Sequence, residues 1–183
     1  MTLTDFILRP GVANRNSWFP ERPKQSEWTK IRASILNRDN YTCISCGHQA
    51  YKWMHVHHLD ESAGNDESNL RTLCAACHAV THMGFSLQRG FIEIWKSPIS
   101  QVDIVRVTRN GVRQGKLLDE IKGELALKRG RRAPDSIRWA NSLVEKMEYE
   151  PHAELPEPLC AVFVEFTRWQ IDTHKEPPIG LSM

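Results

Sequence analysis

The stretch "MHVHHLDESAGNDESNLRTLCAACHAVTH", residues 54–82, concentrates the side chains of this sequence that can bind metal or move protons. Six of the eight histidines, His48, His55, His57, His58, His78 and His82, fall between residues 48 and 82. Imidazole combines a near-neutral pKa with a nitrogen lone pair, so such crowding points to metal binding or proton transfer. Four of the five cysteines flank or enter the same stretch, as Cys43-x-x-Cys46 and Cys74-x-x-Cys77. Duplicated C-x-x-C spacing is that of a four-thiolate zinc site, each pair offering two sulfurs from one turn. The alternatives are four reduced, metal-free cysteines, or a redox pair, which would open a helix after a strand of the βαβ type; neither pair reads that way. With sulfur at all four positions the zinc is structural, and chemistry falls to the histidines. His78 and His82, four apart, point from one face of a helix and can share a cation.

The elements that position these groups read as follows. Residues 1–25 form an extended arm. A short helix through "EWTKIRASILNRD" starts at Ser26 as N-cap, with Trp28, Ile31 and Ile35 at helical spacing. "YTCISCGH" is a tight turn in which Gly47 takes positive φ. "YKWMHVHH" and "NLRTLC" are strand-like, "LDESAGNDES" is the loop between them, and "AACHAVTH" is helix-compatible. His57 and His58 therefore sit where a strand meets a long loop, a place where two neighbours can do different jobs, and Asn69 closes that loop. His48 reads as a polar turn residue, and His55 as a strand residue or a neighbour of the substrate.

Beyond Gly84 the texture changes. Asn110-Gly111 marks a turn. Helices are expected at Leu117–Leu127, Ser136–Met147 and Leu159–Trp169, the last with Cys160 in its apolar pattern. Their apolar stripes read as bundle core rather than a cofactor site. The fold class is α+β: residues 26–84 form a small metal-built core, and 85–183 a mainly α-helical region that positions substrate or docks a protein partner.

At 183 residues with 40% hydrophobic and 25% charged, the composition is globular rather than disordered. No run approaches a membrane span and no signal peptide is evident, so a soluble cytoplasmic protein without a membrane partner is expected. The net charge of +2 is unevenly spread. Ten Lys or Arg face four acids from Ile104 to Arg138, while eight acids face three bases from Glu145 to Glu176. "KRGRR", Lys128 to Arg132, is either a phosphate contact or a solvated loop.

The ordered pattern W-x-x-I-R, R-D-x-Y-x-C-x-x-C-G, H-V-H-H-L, G-x-x-x-x-N-L-x-x-L-C-x-x-C-H-x-x-x-H, over about residues 26 to 83, resembles an HNH endonuclease of the ββα-metal group. The resemblance implies two short strands and a helix around one divalent cation, scaffolded by a structural Zn2+ on Cys43, Cys46, Cys74 and Cys77. It places His58 on the general base, His57 on the metal ligand preceding it, and Asn69 on the residue that fixes the loop carrying the base. His78 and His82 resemble helical metal ligands. The implied activity is hydrolysis of DNA to a 5′ phosphate and a 3′ hydroxyl. Imidazole ligation favours Zn2+, Ni2+ or Mn2+, and Mg2+ fits if fewer histidines bind. Two readings compete with this one: a zinc-built binding module without cleavage, and a nuclease subunit active only within a larger defence or DNA-processing complex.

Overall fold

The structure, a computed structural model, describes residues 6–11, 23–60, 63–129 and 159–169. The order of elements is α1 (Gln25–Arg38), β1 (Met54–His58), β2 (Leu70–Cys74), α2 (Ala75–Thr81), α3 (Met83–Gln88), β3 (Ile92–Lys96), α4 (Gln101–Arg113), α5 (Leu118–Glu124) and β4 (Leu159–Phe163). The fold is mixed α and β around a buried cysteine cluster.

β1 and β2 form an antiparallel hairpin in which Met54 faces Cys74 and His58 faces Leu70. An unpaired strand edge must find other partners for its N–H and C=O groups. Here the end of α1 and the first cysteine turn supply them. Arg38 donates to Leu70 O at 2.7 Å, the Asp39 carboxylate accepts from Thr72 N at 2.9 Å, and Ile44 N donates to Thr72 O at 3.0 Å. Arg32 donates to Met54 O on the other strand at 2.9 Å. The helix therefore fixes the hairpin at both strands. α2 follows β2 directly and completes a ββα element carrying the histidines.

Residues on both sides of Gly84 enter one buried cluster, from Leu8 and Leu36 through Val80 and Ile104 to Phe163 and Trp169. β3 pairs antiparallel with β4, and Lys96 exchanges backbone hydrogen bonds with Lys128 on its far side. The Gln101 carboxamide donates to Ala161 O at 2.8 Å and accepts from Ala161 N at 2.7 Å, which seats α4 on β4.

Several expectations are corrected. Leu159–Phe163 is a strand, not the start of a helix through Trp169, so the described part of residues 85–183 carries a two-stranded sheet beside its helices. The run is five residues long and closed in on both faces, and in so short an apolar segment periodicity does not separate helix from strand. Cys160 accordingly lies buried in that strand. Asn110-Gly111 is inside α4, not a turn. A Cβ on Gly111 would stand 2.6 Å from Ile121 Cδ1, so this glycine serves the close approach of α4 and α5. Ser26 lies in the first turn of α1, whose N-cap is Lys24. Of the arm, residues 6–11 are anchored on the core at two points: Leu8 is buried, and Gly11 bonds through its backbone to Val80 and Met83. The expected helix Ser136–Met147, and Arg131 and Arg132 of the basic run, lie outside the described residues. Gly47 has the expected positive φ, at 76°.

Candidate functional site

Two clusters of donor atoms sit at opposite ends of the hairpin. At the Met54–Cys74 end, Cys43 and Cys46 from the first turn meet Cys74 and Cys77 from the β2–α2 junction. All four are buried, and their sulfurs lie within 4.8 Å of one another. In a tetrahedral thiolate site with metal–sulfur bonds near 2.3 Å, sulfurs stand about 3.8 Å apart; Cys46 and Cys74 are separated by 3.7 Å. The four sulfurs therefore form a pocket fit to hold a structural metal ion such as zinc. The second pair opens a helix, α2, as its helix-compatible content implied, but after a strand of an antiparallel hairpin rather than of a βαβ unit. Its sulfurs face those of the first pair, which is metal-site rather than redox geometry.

The cluster has a partner that sequence reasoning missed. Arg109, buried in α4, donates to Cys46 Sγ and to Cys74 Sγ, both at 3.1 Å, and its guanidinium lies 5.3 Å from the Trp169 ring centroid. Four thiolates around a divalent cation leave a net charge of −2 in a low-dielectric setting, and a fixed cation beside two of the sulfurs offsets part of it. Hydrogen bonds from Cys43, Cys74 and Cys77, with the charge of Arg109, hold the Cys46 thiol far below its ordinary value. Those from Cys43, Cys46 and Cys74 push Cys77 up. The only sequence signal for Arg109 was its place in the basic block.

At the other end, the Nδ1 or Nε2 atoms of His57, His78 and His82 come within 4.8 Å of one another. His57 projects from β1, His78 from α2 and His82 from its C-cap. The i, i+4 spacing thus does place two imidazoles side by side, with ring centroids 4.5 Å apart, and the hairpin brings the third to 5.2 Å from His82. Burial, then the charges of His82 and His58, lowers His57 to about 3. Burial, then His55 and His58, lowers His82 to about 4. Burial also takes His78 well below its ordinary value. All three are neutral imidazoles near pH 7, the form whose lone pair binds a cation. His55 stacks on His78 at 4.4 Å between ring centroids, and burial brings it to about 4. It braces that ring without joining the group of three.

His58, next in the chain, leaves the cluster because successive strand residues point to opposite faces. Its Nε2 is 3.0 Å from Asn65 Oδ1, and its ring stacks on Trp28 of α1, interplanar angle 9°. Asn69 anchors the loop in between. Its carboxamide Nδ2 donates to Asp60 O, Ala63 O and Gly64 O at 2.9 to 3.0 Å, and its Oδ1 accepts from Asp60 N at 2.9 Å. Leu59 N donates to Asn69 O at 2.8 Å.

Neither the protein-family models nor the curated proteins compared with this sequence match it.

Asn65 and Trp28 are the residues beside His58 that the reading of the sequence did not single out. Asn65 lay unmarked in the loop, and Trp28 was read as the apolar start of a helix and as the first residue of the W-x-x-I-R pattern, not as a neighbour of His58. His48 is buried and its carbonyl accepts from Cys43 N at 2.8 Å, as suits a turn residue. Phe6, from the amino-terminal segment, meets His57 edge-on at 6.1 Å. Among the described residues no helix is long and apolar enough to cross a membrane.

Proposed function

We propose that the chain is a metal-dependent endonuclease of the HNH type that hydrolyses DNA phosphodiester bonds. The observation carrying this reading is the division of labour at the end of β1. Three neutral imidazoles, the buried His57 and the partly buried His78 and His82, converge, while the adjacent His58 is turned away and separately held by Asn65. A purely structural zinc module needs neither arrangement.

Hydrolysis requires a proton acceptor for water and neutralisation of charge on the phosphorus oxygens and the leaving 3′ oxygen. His57, His78 and His82 would hold a divalent cation, and a nitrogen-rich set suits zinc, nickel or manganese better than magnesium. When bound, that cation supplies Lewis-acid neutralisation at the phosphate. His58 acts as the general base. With Asn65 Oδ1 as acceptor, Nε2 carries the ring proton and Nδ1 keeps the lone pair that takes a proton from water. Trp28 restricts the tilt of the ring, and Asn69 holds the loop that carries Asn65, so both are positioning residues. The structural metal on the four cysteines is read as zinc and takes no part in the chemistry, because no coordination position is left for water.

Incubating the purified full-length protein with supercoiled plasmid across a series of divalent metals tests the reading. Metal-dependent conversion to nicked or linear DNA, abolished in His58→Ala, is expected. Plasmid left intact with every metal would overturn the nuclease and leave a binding module.

A further inference from the structure

On the far side of the cysteine cluster, α4 and the first cysteine turn enclose an open cleft of about 420 Å³. Arg106, Arg109 and Arg113 line it from α4, together with Asn110, and His48 and Gln49 face them from the turn; no carboxylate is among its lining residues. Arg109 is committed to the sulfurs. Arg106 anchors its Nε on Cys46 O at 3.2 Å and stands 3.7 Å from Asp103 outside the cleft, while Arg113 is exposed.

We infer that this cleft binds the phosphate backbone of a nucleic acid. The spacing selects the ligand class. Arg106 and Arg113 are seven residues apart on one helix, about 10 Å along its axis, so the row extends over more than one phosphate of a strand. One DNA strand carries a phosphate about every 3.4 Å of duplex axis, and about three such steps span that length. A polynucleotide therefore engages the row where a mononucleotide engages one end. The inference rests on the phosphodiester reading of the histidine site, none of whose residues lines this cleft. Nucleic acid held at the cleft would be gripped at a point that the cutting chemistry does not disturb.

The test is fluorescence anisotropy of a labelled DNA duplex with the full-length, zinc-loaded protein, without added divalent cation so that no strand is cut, over a range of salt. Arg106→Gln/Arg113→Gln is expected to lower affinity tenfold or more at low salt and to reduce the slope of log K against log salt by about 1.8, two phosphate contacts' worth. Zinc content is the check on folding, since both side chains lie at the surface. A second variant, Asn110→Asp, sets a carboxylate in the cleft at nearly constant shape and is expected to weaken binding in the same direction. An unchanged affinity and slope in both variants, or no duplex binding at all by the parent protein, overturns the inference. So does displacement of poly-glutamate, rather than DNA, by the arginine changes, which would assign the cleft to an acidic protein. Arginine-dependent duplex binding by a protein that cuts plasmid with no metal would sink the nuclease reading and leave the cleft standing.

Discussion

At the scale of single residues, two histidines adjacent in sequence occupy different chemical settings. His57 is buried among His78, His82 and Phe6, whereas His58 lies against Trp28 and Asn65. His58→Ala is expected to retain cation binding while plasmid cleavage falls by roughly two to four orders of magnitude, the range for a lost general base. His57→Ala should instead weaken the cation, with part of the activity returning in excess metal. Metal titration beside plasmid cleavage separates them, and loss of cation affinity in the His58 variant alone would exchange the two roles. Asn65→Ala, which leaves His58 Nε2 without this acceptor, should lower the cleavage rate about tenfold or more at unchanged cation affinity. A pH–rate profile moved relative to the parent distinguishes a lost tautomer from a merely loosened loop.

At the scale of elements, the helix carrying Arg109 and Gly111 joins the cysteine cluster to the rest of the molecule. Arg109→Lys preserves charge but cannot place a planar fork across two sulfurs. It should speed the loss of zinc to a chelator by about tenfold, the lower end of what an outer hydrogen bond contributes at metal sites. An unchanged release rate would reduce Arg109 to a packing residue under Trp169. Gly111→Ala drives a methyl group into Ile121 and should cost about 1–3 kcal/mol as overpacking, read as a lowered midpoint of chemical denaturation. The neighbouring Asn110 is exposed, and Asn110→Ala should be near neutral or slightly favourable on helix propensity.

At the scale of the whole molecule, burying neutral imidazoles links stability to pH. In an unfolded chain histidine titrates near 6.5, whereas in the fold His57 is brought to about 3 and His55 and His82 to about 4. Between those values the unfolded chain binds protons that the fold does not. The contribution of these histidines is therefore complete above about pH 6.5 and is lost progressively as pH falls toward 4 and 3. The urea midpoint, measured without added cation, should drop between pH 7.5 and pH 5.0. The drop should be smaller in His57→Gln/His78→Gln, and the comparison cancels any acid loss of metal from the cysteines. Equal drops in both proteins would show that the imidazoles are not the acid-sensitive groups.

The sequence by itself determined the local parts of this protein, because their signals are short-range. Duplicated C-x-x-C, the i, i+4 pair His78 and His82, the positive φ at Gly47 and the alternation in "MHVHH" each fix a geometry within a few residues, and the cysteine cluster and the hairpin follow from them. Asn69 was legible as the residue closing a loop, and its carboxamide does tie that loop together. What only the tertiary structure decided depends on contacts between residues far apart in the chain. "LCAVF" has the composition of a helix face or of a buried strand, and it is a strand because β3 offers it an edge some sixty residues earlier. Asn110-Gly111 has the composition of a turn, yet it stays helical because Ile121 requires a position without a side chain there. Arg109 was one arginine in a basic block. It became the partner of two sulfurs, 63 and 35 residues away in sequence, through the packing of α4 against the cysteine turn.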